Sequence, residues 1–163
     1  MHTLIVWTAQ YLLFVMAAVF VLVWLIAEDS HGKLVLAATA VVGVVLMVVF
    51  LYIAKGVHHD PRPFVQNPRI RPLFGHSRDD GFPSDHSIAA ALIAVLVIWR
   101  HRLVGVLLAL GAALIAWARV AAHVHHLQDV LAGLALGALA AVIASLVVPA
   151  VVARISGRRP RVP

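Results

Sequence analysis

The chain has 163 residues, is 63% hydrophobic and has a mean hydropathy of +0.98; soluble domains are roughly 45–50% apolar, so an ordinary soluble protein is excluded. Its formal charge of +6 and pI near 11.1 would suit nucleic acid, but Lys and Arg fall almost wholly in loops and the tail. There topology and anionic headgroups account for them, and no nucleic-acid partner is expected. With no cysteine, disulfide, thiolate and cysteine–zinc chemistry are excluded too.

The apolar residues come in long blocks, each near the roughly 20 needed to cross a bilayer core of about 30 Å. This predicts an all-α, polytopic membrane helix bundle with about five transmembrane helices in one domain, residues 1–163. The first span, 3–27, is interrupted only by Thr8 and Gln10. Met1-His2 carries no Lys or Arg and the run exceeds a signal-peptide core, so it reads as a retained helix. Glu28 to Lys33 reads as a polar turn with Gly32 at the bend, and span two covers 34–55. Residues 56–83, rich in His, Asp, Pro, Arg and Gly, form the long loop; a connection over about 12–15 residues is more often functional than passive. Spans at 84–99, 103–120 and 127–153 follow, then a basic tail from Arg154 to Pro163. Gly133 and Gly137 suit close helix contact, within the bundle in preference to a homodimer interface.

Lys and Arg favour the cytoplasmic side. Arg100, Arg102, Arg154, Arg158, Arg159 and Arg161 share one side, opposite the charge-free amino terminus. The long loop is then extracytoplasmic, and its arginines Arg62, Arg69, Arg71 and Arg78 run against the rule, as groups serving something other than topology would.

This threading brings three polar clusters to one membrane surface. In Lys55-Gly56-Val57-His58-His59-Asp60-Pro61-Arg62-Pro63, two cations on a proline-stiffened backbone suit an oxyanion, Arg62 being able to fork onto two oxygens; contact with headgroups is the plainer alternative. In Pro83-Ser84-Asp85-His86, Ser84 can cap a helix whose free amides suit phosphate, and His86 projects nearby. The third runs from Arg119 to Asp129 and includes His123, His125 and His126. Ionisable groups at the edge of hydrocarbon are a functional hypothesis by default. His125 and Asp129, four apart, are neighbours at a helix start, and a carboxylate behind one imidazole nitrogen leaves the other free to attack or to carry a proton. The same histidines with Asp129 could hold zinc or copper, but the surrounding Lys and Arg attract an anion and repel a cation. His58, His59, His76 and His101 receive no role.

Lys55-x6-Arg62-Pro63, Pro83-Ser84-x-His86 and Arg119-x5-His125-x3-Asp129 together resemble the three-part signature of the type 2 phosphatidic acid phosphatase (PAP2) superfamily. The resemblance runs from Lys55 to the end of the last span. It implies a PAP2/chloroperoxidase-like core and metal-independent phosphate-ester or anhydride hydrolysis through a phosphohistidine, with no cofactor. It further implies His125 as nucleophile, Asp129 as its orienting partner and His86 as general acid. Lys55, Arg62, Ser84, Arg119 and the Asp85 amide would bind the phosphoryl group. Asp85 stands where the family usually has glycine, so its carboxylate must turn away or pair with a cation such as Arg62 or Arg78. Ala118 stands where serine is usual, removing one hydroxyl. The Pro-Ser-Asp-His version resembles a bacterial branch acting on undecaprenyl diphosphate.

The expectation is a multi-pass cell-membrane enzyme that converts undecaprenyl diphosphate to the monophosphate on the extracytoplasmic side, recycling the lipid carrier of cell-wall synthesis. Its partners would be that lipid and the membrane, with a homodimer an open possibility. Phosphatidic acid or phosphatidylglycerol phosphate is the alternative substrate. A non-catalytic, histidine-rich transporter or metal-binding protein is the alternative of another class.

Overall fold

The computed structural model describes residues 1–155, so the expected basic tail lies outside the described residues beyond Ile155. The elements are α1 (His2–Leu22), a π-helical turn (Val23–Ala27), α2 (Ser30–Val57), the short α3 (Pro63–Gln66), α4 (Asp85–Ile98), α5 (Arg102–Ala121) and α6 (Leu127–Ile155). Among the described residues the only β pairing noted is an isolated bridge between Pro61 and Asp80.

Four of the expected spans, namely α1 with its π turn, α2, α5 and α6, are long and apolar enough to cross a membrane. The span expected at 84–99 is different. Bounded by Pro83-Ser84 and Trp99-Arg100, α4 has 14 residues, about 21 Å at 1.5 Å per residue. It packs against α1, α2, α5 and α6, so its apolar residues face protein in most directions: Ile88, Ala90, Ala91, Leu92, Ala94, Leu96 and Val97 are all buried. A helix that is apolar all round belongs in such a position. The outer helices instead turn large apolar side chains outward, among them Phe14, Val41, Leu110, Leu114 and Leu146. The chain is a multi-pass membrane protein, and these faces meet lipid.

Gly133 and Gly137 decide how closely α6 approaches α4. A Cβ on Gly133 would lie 2.8 Å from the Ser84 carbonyl oxygen, and one on Gly137 would strike the Ile88 carbonyl. The pair therefore packs inside the bundle. The expected turn at Glu28–Lys33 is shorter than its polarity suggested. Asp29 caps α2 by accepting the Gly32 amide at 2.7 Å, so Gly32 sits in the first helical turn and makes no bend. Glu28 binds Arg100 and His101, tying this connection to the end of α4. Polar groups thus gather at both ends, with Glu28, Lys33 and Arg100 to Arg102 at one and the three sequence clusters at the other.

Gly137→Leu is expected to destabilise the fold by about 1–3 kcal/mol through overpacking, read as earlier thermal unfolding in detergent with elution volume unchanged. A shift in elution volume with unaltered unfolding would place the glycine pair at an intermolecular contact instead.

Candidate active site

Pro61 and Pro63 stiffen the entry to α3, where Arg62 takes the N-cap position. Arg119 comes from the last turn of α5, and His125 from the connection into α6, just after His123 at a positive φ of 60°. These side chains meet in the interior: Arg62, Arg119 and His125 are 4%, 3% and 2% exposed, and Asp129 is 0% exposed. Arg62 Nη1 donates to the Val124 carbonyl at 2.9 Å and reaches His125 Nε2 at 3.1 Å. Arg119 Nη2 reaches the same Nε2 at 3.1 Å, while its Nη1 makes a long 3.4 Å contact with the Ala9 carbonyl of α1. Guanidinium groups only donate, so Nε2 must present its lone pair. The proton then lies on Nδ1, which donates to Asp129 Oδ2 at 3.3 Å.

This is a neutral imidazole held in one tautomer, with its free lone pair aimed between two buried cations. Burial holds the His125 pKa below the ordinary 6.5; Asp129 works against that shift, and Arg119 and Arg62 work with it. An electrophile attacked by Nε2 would place its own oxygens beside both guanidinium groups, a geometry that suits an oxyanion.

Asp129 is itself fixed by a network that its sequence position did not announce. The His126 amide donates to Asp129 Oδ2 at 2.8 Å. His126 Nδ1 lies 2.9 Å from Asp60 Oδ2 and 3.9 Å from Asp129 Oδ2, near both carboxylates with no hydrogen bond to a described residue. Asp60 also accepts from Gln128 at 2.6 Å and Gln66 at 2.9 Å. Burial pushes the Asp60 carboxyl up, but the hydrogen bond from Gln128, with Asp129 and His126, more than reverses it. Gly81 closes over this group. Its amide donates to the Asp60 carbonyl at 2.8 Å, and a Cβ there would come within 2.9 Å of Asp129 Oδ2.

Ser84 behaves as expected: it is buried and caps α4, accepting from the Ser87 amide at 3.4 Å. Its own amide donates to the Asp129 carbonyl at 3.0 Å, so the second and third clusters are joined through backbone. His86 is half-buried in the first turn of α4, within electrostatic reach of Arg119, His125 and His76. Asp85 departs from the expected pairing with Arg62 or Arg78. It pairs with Lys55 at 3.6 Å, both side chains being well exposed, because the first residue of α4 points to the rim. Arg62 takes Asp79 instead, at 3.0 Å. Lys55 is thus a rim cation, whereas Arg62 and Arg119 lie at the centre.

A further participant had no assigned role. His76 Nε2 lies 2.8 Å from Arg119 Nη2, and its ring stands edge-on to His125 with centroids 6.2 Å apart. Nothing in its neighbours along the chain distinguished it from His58 or His59. The metal set of three histidines with Asp129 is not assembled: His123 is exposed and His125 Nε2 faces two cations. Asp60, His126 and Asp129 are the group whose ligand atoms lie within 4.8 Å of one another.

Residues 34–153 match the family model of the PAP2 superfamily. Undecaprenyl-diphosphatase BcrC of Bacillus subtilis (strain 168) is 29% identical over 136 residues, covering 82% of this chain and 68% of that protein. Putative undecaprenyl-diphosphatase YbjG of Escherichia coli (strain K12) is 34% identical over 148 residues, covering 90% and 73%. Two crystal structures share the fold at 22% identity. Aquifex aeolicus LpxE has a TM-score of 0.69 and covers 89% of this chain and 83% of its own. A transmembrane PAP2-type phosphatidylglycerolphosphate phosphatase from Bacillus subtilis has a TM-score of 0.58 and covers 88% and 74%.

Asp60→Ala strips Gln66 and Gln128 of an acceptor. The expected result is a loss of about 1–3 kcal/mol, visible in thermal unfolding; unchanged unfolding would mean that solvent replaces the carboxylate at no cost.

Proposed function

The chain belongs to the PAP2 superfamily, a family of membrane lipid phosphatases, and we propose that within it the chain hydrolyses undecaprenyl diphosphate to undecaprenyl phosphate through a phosphohistidine. One observation carries the mechanism: Arg62 and Arg119 converge on His125 Nε2 while Asp129 takes the opposite nitrogen. Nε2 attacks the terminal phosphorus, the P–N bond forms, and the bond to the bridging oxygen breaks. His86 gives a proton to the departing oxygen. Water then attacks the phosphohistidine, His86 takes back a proton, and the P–N bond breaks to release inorganic phosphate. Through both steps Arg62 and Arg119 hold the equatorial oxygens, with Ser84 and the Asp85 amide at the start of α4 and Lys55 at the rim. Positioning and charge stabilisation are what phosphoryl transfer chiefly requires.

The diphosphate assignment is supported by the Pro-Ser-Asp-His sequence and by two relatives named for that reaction. Lys33, Arg100, Arg102 and Arg154 at the opposite end favour a site facing the extracytoplasmic side.

Two outcomes are expected, and a third would reassign the substrate. His125→Ala abolishes phosphate release from a prenyl diphosphate in detergent with chelator present; residual turnover would leave the histidines to a transport or metal-binding role. If the purified protein released phosphate from phosphatidic acid or phosphatidylglycerol phosphate and none from prenyl diphosphates, the substrate would be a phosphomonoester lipid. His86→Asn slows phosphatidic acid more than prenyl diphosphate, because a phosphate leaving group, with a second pKa of about 6, needs a proton less than an alkoxide does.

The pH profile follows from the lowered His125 pKa. Nε2 stays unprotonated down to a pH below 6.5, so the acid limb of kcat/KM lies below that value and activity is lost as pH falls further. The limb belongs jointly to His125 and His86, and a flat profile to about pH 4 would rule out His125 as the attacking group.

A further inference from the structure

We infer that His76 is a fourth phosphoryl-binding side chain of this site, accepting a hydrogen bond from Arg119 when neutral and taking up a proton to donate to a phosphoryl oxygen when the lipid headgroup binds. The inference rests on the phosphatase reading and adds a residue to it.

Placement is the first argument. Arg119 Nη2 divides its two N–H groups between His76 Nε2 at 2.8 Å and His125 Nε2 at 3.1 Å. When His125 attacks phosphorus, the phosphoryl oxygen bound by Arg119 therefore arrives beside His76 Nε2. An Nε2 without hydrogen would set one lone pair against another there. Ser77 Oγ spends its own hydrogen on Asp79 and so accepts from His76 Nδ1 at 3.3 Å. That keeps the Nδ1 proton in place and leaves Nε2 to gain a second one before it can donate to the oxygen.

The second argument is that His76 is held in place on both flanks. The Leu73 amide donates to the Ala122 carbonyl at 3.1 Å, and Phe74 packs in the cluster of Phe64, Ala122 and Val124. Arg119 also lies over the Phe74 ring, 5.7 Å from its centroid. On the other flank, Ser77 Oγ donates to Asp79 Oδ1 at 2.6 Å, the atom that receives Arg62 Nε at 3.0 Å. The loop is thus tied to both segments that supply the central arginines.

Charge explains why the proton arrives with the ligand. Facing His76 are Arg119 from α5, Arg62 from the entry to α3, His125 from the α5–α6 connection and His86 from α4. Among carboxylates, Asp79 is nearby but engaged with Arg62 and Ser77. Burial and these cations push His76 down to about 4. A bound dianion offsets the cations and reverses the larger electrostatic contributions.

The test uses the full chain in detergent and methylenediphosphonate as a non-hydrolysable diphosphate. Calorimetry at neutral pH in two buffers of different ionisation enthalpy gives the protons taken up on binding. His76→Gln can still accept from Arg119 but cannot titrate. It is expected to take up about one proton fewer than wild type and to bind about tenfold more weakly, the size of one charge-assisted hydrogen bond. Equal proton uptake in wild type and variant overturns the inference. His76→Asn and His76→Ala carry the same comparison should the Gln variant not fold. Intact lipid turnover with unaltered uptake removes only His76, whereas wild type that neither binds the probe nor releases phosphate from any lipid removes the phosphatase reading itself.

Discussion

Two guanidinium groups buried against one imidazole nitrogen set the terms for the rest of the molecule. Arg62 and Arg119 repel each other, each has lost most of its water, and Arg119 Nε has no hydrogen-bond partner among the described residues. Such a pair is costly in the interior unless anionic or accepting groups surround it. The described residues supply carbonyls from Ala9 and Val124, the lone pairs of His76 and His125, and the carboxylate of Asp79. Its other carboxylates are kept apart from these cations: Asp85 goes to Lys55 at the rim, and Asp60 and Asp129 serve His126 and His125. The positive charge at the centre is therefore left largely uncompensated, which is the electrostatic setting that the proposed phosphoryl substrate requires.

The bundle makes that arrangement possible through small residues. Because Gly133 and Gly137 let α6 lie directly on α4, the start of α4 reaches the first turn of α6. There the Ser84 amide bonds to the Asp129 carbonyl. The polar chemistry sits at one end of this contact and the apolar packing of Ile88 to Val97 continues below it. Gly81, closing over Asp129, applies the same steric logic to the loop.

Much of this was legible in the sequence. Long apolar blocks announce membrane helices because the bilayer imposes a length, and the spacing of Arg119, His125 and Asp129 announces a helix start. What escaped depended on tertiary neighbours. The role of His76 arises from Arg119, 43 positions away, and that of Asp60 from Gln128, 68 positions away, where no local pattern can speak. Asp85 turns away to the rim, one of the two outcomes its sequence position allows, but its cation is Lys55 because helix phase decides which side of the site a first-turn residue faces. The brevity of α4 was likewise hidden, since a buried central helix and a lipid-crossing one share an apolar composition. Gly32 was misread because a cap residue, Asp29, shifted the helix start into a polar stretch.

The backbone link between Ser84 and Asp129 has a consequence for how such a site can diversify. It welds the start of α4 to Asp129, the partner of His125 Nδ1, so these parts cannot drift separately without losing register. The rim is under no such restriction: Lys55 and Asp85 meet in solvent, and Asn67 to Arg69, Arg71 and Arg78 of the loop are exposed. Under the proposed function, substitutions at the periphery can accordingly alter the lipid preference while leaving the central residues in register.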